Sequence, residues 1–352
     1  ISYLADIYNQ KIDAEKNILR LALYQSFFPK FMSGPIEKYE RQKNDYLSLS
    51  SVHLFDANRL STSFIYIITG YFMKLMVADR LALYVDKIFE SYSILSSPLI
   101  VLGAVGYTIQ IYFDFAGYSF TAIGIANLFG VNLISNFNNP YLAENIVDFW
   151  RRWHISLSTW LKDYIYIPLG GNRNGEIHKY INTMIVFTVC GFWHGSGLNF
   201  IAWGLLHGIF SVIENYMLKR NINFLFKGII GRILNFILVG FAWIFFKASS
   251  LGHAIMYIKS MLTSFHADKT FSEQLEIIEL PQLEINILLL SILAFFILEI
   301  ISYRSKCTVP EYISDKKPVI KYGYLYLSLI LILIYGIYGG LNTGTTFIYM
   351  QF

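Results

Sequence analysis

Hydrophobic positions in this chain fall in long runs rather than in narrow amphipathic stripes. A helix that crosses a bilayer needs about 20 mostly apolar residues. Stretches of that kind are Leu60–Ala78, Pro98–Phe115, Ile181–Trp193, Leu198–Ile213, Ile229–Phe246, Ile285–Ile301 and Tyr322–Gly339. Two run short, which requires tilt, burial in a bundle, or a hairpin. Leu19–Ile36 and Phe115–Val131 are apolar but interrupted, the first by Pro29, Gly34 and Pro35, the second by Gly117, Gly124 and Gly130. They read as re-entrant or interfacial pieces, which a membrane tolerates only where protein or a cavity covers the backbone. The pattern predicts an all-α, polytopic membrane protein. With no internal repeat, linker or low-complexity tract, residues 1–352 read as one domain.

Composition agrees with that reading. Hydrophobic residues make up 55% and charged residues 15% of the chain, with a mean hydropathy of +0.46. A soluble domain carries about 25% charge, so this chain could not cover a water-facing surface. Aromatic residues reach 17% and suit two membrane interfaces. The two cysteines, Cys190 and Cys307, offer neither a disulfide framework nor metal-ligand spacing. No metal and no bound cofactor are expected, and no nucleic-acid partner.

Charge along the chain is distributed unevenly. Lys38, Arg41 and Lys43 precede the first span; Arg151, Arg152, Lys162 and Arg173 lie between the second and third. Lys219, Arg220, Lys227 and Arg232 separate the fourth from the fifth, and Arg304, Lys306, Lys316, Lys317 and Lys321 the sixth from the seventh. The loop after the fifth span is acidic instead, with Asp268, Glu273, Glu276, Glu279 and Glu284. The positive-inside rule then puts the basic loops in the cytoplasm. The chain opens at Ile1, and Ile1–Gln10 has neither the basic region nor the apolar run of a signal peptide. The expectation is that an N-terminal portion precedes it, which makes the helix count a lower bound.

Four stretches carry candidate chemistry. Asp148–Tyr164 places Phe149, Trp153, Trp160 and Tyr164 near helical spacing, with Arg151, Arg152, Ser158 and Lys162 around them. It is too charged to span, and reads as an interfacial helix whose arginines meet lipid phosphate. His154, beside Trp150 on such a helix, faces packed protein or lipid. It is either a satisfied structural group or part of the chemistry. Next, Pro168 and Gly170–Gly171 form a turn that presents Asn172 and Arg173. Free amides beside an arginine could hold a phosphate, or the stretch is an ordinary cytoplasmic turn.

In Gly191–Gly208, His194 stands about 15 residues beyond Lys179, roughly 22 Å along a helix against an apolar core of about 30 Å. It should lie inside the membrane at the tip of a hairpin turning at Gly195–Ser196–Gly197. An ionisable group at that depth is costly and by default functional. Burial keeps an imidazole neutral, the form a general base needs. His207 reads as a packing or supporting histidine in the returning helix. Finally, Asp114 sits in an apolar run, where a carboxylate must pair or be protonated. It could orient a histidine, counter an arginine, or form a buried packing pair.

Taken together, several segments resemble the membrane-bound O-acyltransferase family, and within it the alginate and polysaccharide O-acetyltransferase branch. They are FFPKFMSGPIEKY at Phe27–Tyr39, IQIYFDFAGYS at Ile109–Ser119, DFWRRWHISLSTWL at Asp148–Leu161, YIYIPLGGNR at Tyr164–Arg173, GFWHG at Gly191–Gly195, WGLLHG at Trp203–Gly208, AWIFFKA at Ala242–Ala248, and the terminal FIYMQF. They run in family order along essentially the whole chain, and the resemblance implies that the first helices of the family fold are missing here.

The resemblance implies a helical fold around a tunnel, in a bacterial cytoplasmic membrane. Through it an acyl group passes from a cytoplasmic thioester, acetyl-CoA or similar, to an extracytoplasmic polysaccharide hydroxyl. It assigns the buried family histidine, as general base or as acyl relay, to His194 and the second to His154. Trp193, Trp150, Arg151, Arg152, Asn172, Arg173 and Asp114 are the candidate substrate-binding side chains. It also implies an extracytoplasmic partner resembling SGNH esterases, beside membrane lipid and the polysaccharide acceptor. Phe120 stands where many relatives carry an acidic residue, and Gly197 and Leu198 replace a small residue and a tryptophan after the WHG triplet. Transfer of D-alanine to teichoic acid is the alternative within the family. A transporter or polymer flippase is the alternative outside it, but paired broken helices in related halves are not seen.

Overall fold

The structure is a computed structural model that describes residues 1–31, 33–53, 55–222, 224–265, 270–279 and 281–338. His266, Asp268 and the terminal FIYMQF stretch lie outside the described residues. Among the described residues, regular structure is helical and only an isolated bridge, Phe137 to Trp153, pairs extended backbone. Among the described residues, six helical stretches are long and apolar enough to cross a membrane.

Three short helices open the chain: α1 (Ser2–Tyr8), α2 (Ile18–Ser26) and α3 (Tyr39–Ser48). Between the last two, the described residues include a short 3₁₀ turn, Phe28–Lys30, with Pro29 inside it. α4 (Ala57–Tyr71) starts on Asp56, whose carboxylate accepts from the Arg59 amide at 2.7 Å. It continues through a π-helical stretch, Phe72–Ala78, into α5 (Asp79–Ser91).

α6 (Ser97–Leu128) is one uninterrupted helix, which corrects the reading of Phe115–Val131 as a broken re-entrant piece. Its glycines are there for contact, not for a break. A Cβ on Gly117 would stand 2.8 Å from the Gly70 carbonyl oxygen of α4, and one on Gly124 2.6 Å from that of Ser63. The two backbones approach closely because these positions carry no side chain. Phe120 is buried against Tyr66 with ring centroids 6.0 Å apart.

The segment that does fold back into the protein comes next. After α6 the chain runs extended past the buried Asn136 and Phe137 to a 3₁₀ turn, Pro140–Leu142. It then forms α7 (Ile146–Arg152) and α8 (Ile155–Leu161). Asp148–Tyr164 is therefore two short helices and a π turn, not one amphipathic helix lying on the surface. Phe149 and Trp153 are buried among Tyr141, Phe137 and Trp243.

α9 (Glu176–His194) and α10 (Leu198–Lys219) form the expected hairpin. α11 (Gly228–Lys247), α12 (Leu251–Thr263), α13 (Phe271–Ile278), α14 (Gln282–Arg304), α15 (Val309–Ser314) and α16 (Pro318–Tyr335) complete the fold. Isoleucines and leucines of α11, α14 and α16 stand exposed along most of their length, among them Ile233, Ile237, Leu293, Ile297 and Leu333. In water such faces would be costly; toward hydrocarbon they are the expected surface. The molecule is a multi-pass membrane protein.

Candidate active site

The hairpin is built to bring α9 and α10 into backbone contact. A Cβ on Gly204 would stand 2.2 Å from the Phe187 carbonyl oxygen, and one on Gly191 2.4 Å from that of Phe200. At the base, Lys219 pairs with Glu176 at 3.4 Å and Lys179 donates to Asn215 at 3.0 Å. The tip is fixed by Asn199, whose amide donates to the carbonyls of Phe245 (3.3 Å) and Ala248 (3.0 Å). Those are unpaired acceptors at the end of α11, so the bond satisfies a helix terminus and sets Phe246 beside the turn.

His194 is the last residue of α9 and is 5% exposed. Trp203 and Phe246 meet its ring edge to face, each at a centroid distance of 5.2 Å. The turn at Gly195–Ser196–Gly197 falls where the sequence places it. Trp203 stacks in turn on Trp243 at 5.4 Å. This apolar clasp holds the ring through area and edge contacts.

His154 reaches the same region from the fold-back segment and lies within electrostatic reach of His194. Its ring meets Phe115 edge-on at 4.7 Å. The backbone at His154 is left-handed, with φ 44° and ψ 52°. Few non-glycine residues adopt that conformation, and it persists only where the surroundings enforce it. Here they do. The Ile155 amide donates to the Asn136 carbonyl at 3.0 Å, Asn138 to the Arg152 carbonyl at 3.0 Å, and Ser156 to the Asn136 side chain at 3.2 Å. His154 therefore projects from a kink between helices rather than from a helix face, as the periodicity had it.

Two further groups hold that kink. The Phe27–Tyr39 stretch clamps it from outside: the Ile36 amide donates to Ser156 Oγ at 3.0 Å, Lys38 pairs with Asp163 at 2.5 Å, and Glu37 accepts from the Ile134 amide. Burial pushes the Glu37 carboxyl above its usual range, against the pull of the Ile134 amide and Arg41. From α10, the buried Glu214 accepts from the amides of Ile146 (2.7 Å) and Val147 (3.4 Å) at the start of α7. A carboxylate at a helix N-terminus satisfies donors that no helix can. Sequence reasoning passed over Glu214, Asn199 and Phe246. An acid or amide inside an apolar run was the available signal for the first two.

The remaining candidates separate. Trp150 donates from Nε1 to His207 Nδ1 at 3.3 Å and packs on Trp203 at 5.9 Å. Trp193, half exposed, leans on Trp160 at 5.4 Å. Arg152 pairs with Asp148 at 2.9 Å within α7, and Arg151 is exposed. Asn172 and Arg173 are exposed in a turn that Asn182 anchors through the carbonyls of Leu169 (3.2 Å) and Gly171 (2.9 Å). Asp114 takes the buried-pair form. It meets Lys74 at 2.5 Å, and Lys74 also reaches Asp79 at 2.8 Å across the π-helical stretch. Among the described residues no cluster of three His, Cys, Asp or Glu side chains could hold a metal.

Fold and site thus define a multi-pass helical membrane protein with two buried histidines within electrostatic reach of each other. The family model for MBOAT, the membrane-bound O-acyltransferase family, matches residues 10–254. The chain is 42% identical over 248 residues to the peptidoglycan O-acetyltransferase of Helicobacter pylori, covering 70% of this chain and 47% of that protein. It is 34% identical over 270 residues to the probable alginate O-acetylase AlgI of Pseudomonas aeruginosa, covering 75% and 49% respectively. With the teichoic acid D-alanyltransferase of Bacillus subtilis it shares 31% over 217 residues, 57% of this chain and 53% of the relative. The chain spans about half the length of the curated relatives it matches. It belongs to the membrane-bound O-acyltransferase family.

Proposed function

We propose that this protein transfers an acetyl group from a thioester donor, acetyl-CoA or similar, to a hydroxyl of an extracytoplasmic polysaccharide. The observation that carries this reading is that His194, buried at the tip of the α9–α10 hairpin, and His154, buried on an enforced kink, lie within electrostatic reach of each other. The donor approaches from the side of the basic loops and the acceptor from the other. His194 takes the proton of the acceptor hydroxyl as its oxygen attacks the thioester carbonyl. The C–O bond forms, the C–S bond breaks, and the thiolate leaves with a proton. General-base help of this kind is worth about 10²–10⁴-fold. The aromatic clasp of Trp203 and Phe246 keeps water from the thioester, which a hydrated site would hydrolyse.

Acetyl is favoured over D-alanyl as the cargo because the two acetylating relatives match more of this chain, at higher identity, than the D-alanylating one does. An SGNH esterase-like partner on the acceptor side completes the reading. The experiment is to measure ester-linked acetyl and ester-linked D-alanine on surface polymers with and without the gene. Loss of acetyl alone supports the proposal; loss of D-alanine alone overturns it.

A further inference from the structure

Away from the histidines, a groove of about 590 Å³ opens between α11 and α14. Ile233, Phe236 and Ile237 form one wall, Phe296 and Ile300 the other, and Tyr141 closes the back. Ile233 and Ile237, one helical turn apart, are 55% and 58% exposed, and Ile300 is 44% exposed, so the groove opens outward onto the surface that faces hydrocarbon. One end of it is different. Arg232, near the start of α11, and Arg304, the last residue of α14, line it together with Tyr303. From Arg304 down to Phe296 the apolar channel runs roughly 12 Å at about 1.5 Å per residue.

The charges at this mouth do not cancel. Arg232 pairs with Glu144 at 3.1 Å and lies 5.6 Å from the Tyr303 ring. Arg152 lies over the same ring at 5.2 Å and pairs with Asp148 at 2.9 Å. Arg304 is exposed and makes no ion pair among the described residues. Three guanidinium groups thus face two carboxylates. Hydrocarbon of any kind would fill the apolar length; the arginines add a preference for negative charge at one end only. A guanidinium fork matches a phosphate diester, and a basic pocket between spanning helices is the expected receptor for an anionic headgroup.

We propose that this groove binds an anionic glycerophospholipid of the leaflet on the side of the basic loops. Its phosphate rests on Arg304 and Arg232 and one acyl chain lies along Ile233, Ile237 and Phe296. The bound chain backs onto Tyr141, whose ring is 6.2 Å from that of Trp153, so the lipid supports the wall behind the His154 kink.

The test is native mass spectrometry of the full chain in detergent with dioleoyl phosphatidylglycerol or dioleoyl phosphatidylcholine. The wild type should retain phosphatidylglycerol about fivefold more than phosphatidylcholine, the scale of one basic residue near an anionic headgroup. Arg304→Gln should abolish that preference, whereas Ile233→Trp, which fills the groove and leaves the charges in place, should lower retention of both lipids. Equal retention of the two lipids by the wild type would overturn the proposal. So would retention unchanged by Ile233→Trp, or a dimer that Ile233→Trp converts to monomer.

Discussion

Trp150 on α7 donates its indole N–H to Nδ1 of His207 on α10 at 3.3 Å. The bond joins the fold-back segment that carries His154 to the hairpin that carries His194. Because the indole can only donate, His207 must accept at Nδ1, which leaves its proton on Nε2. His207 is thus a positioning residue whose tautomer is set by Trp150.

Trp150→Phe keeps the packing against Trp203 and Phe187 but strands a buried acceptor. That costs about 1–3 kcal/mol, and acetyl transfer should fall about tenfold while the amount of protein in the membrane stays near normal. His207→Gln, which can still accept through its amide oxygen, should retain more activity than His207→Ala. Equal loss in the two would remove the positioning role.

The left-handed backbone at His154 allows its two contributions to be separated. Asparagine tolerates that conformation and alanine resists it. Thermal unfolding in detergent should show His154→Asn close to wild type and His154→Ala lower by about 1 kcal/mol. Both should lose most acetyl transfer, since both lack the ring. Full transfer by His154→Asn would reduce the residue to a backbone role.

Lys74 joins two buried carboxylates, Asp79 and Asp114. Removing the cation alone leaves them buried without it, a cost of about 3–5 kcal/mol. Lys74→Met should unfold at markedly lower temperature, and the triple change with Asp79→Asn and Asp114→Asn should recover most of the loss. A triple variant as unstable as the single one would contradict the pairing account.

Gly204 tests the hairpin. Gly204→Val forces a side chain against the Phe187 carbonyl and Gly191, and overpacking of this kind costs about 1–3 kcal/mol. It should lower both thermal stability and transfer, whereas Gly323→Ala, on α16 with open space around it, should leave transfer unchanged. Normal transfer by Gly204→Val would show that the close approach of the two helices is dispensable.

Much of this was legible in the sequence because lipid imposes a simple rule: apolar length marks a span. The hairpin at Gly195–Gly197 and the place of His194 at its tip follow from counting residues. What periodicity missed were places where tertiary contact overrides local pattern. Gly117 and Gly124 look like breakers, yet they sit within α6 because α4 presses on them. The spacing of Phe149, Trp153 and Trp160 suits one helix, but Asn136 and Ser156 hold a kink at His154 that no local residue pattern announces. Asp114 was recognisable as a group in need of a partner. That the partner is Lys74, 40 residues earlier, depends on how α6 packs against the π-helical stretch.

The central claim is that His194 performs acyl transfer. The most direct measurement is the ester-linked acetyl content of surface polysaccharide in cells expressing His194→Ala at wild-type membrane levels. The account predicts acetyl reduced to the level of cells lacking the gene, with the variant still folded in the membrane. Wild-type acetylation by that variant would contradict it.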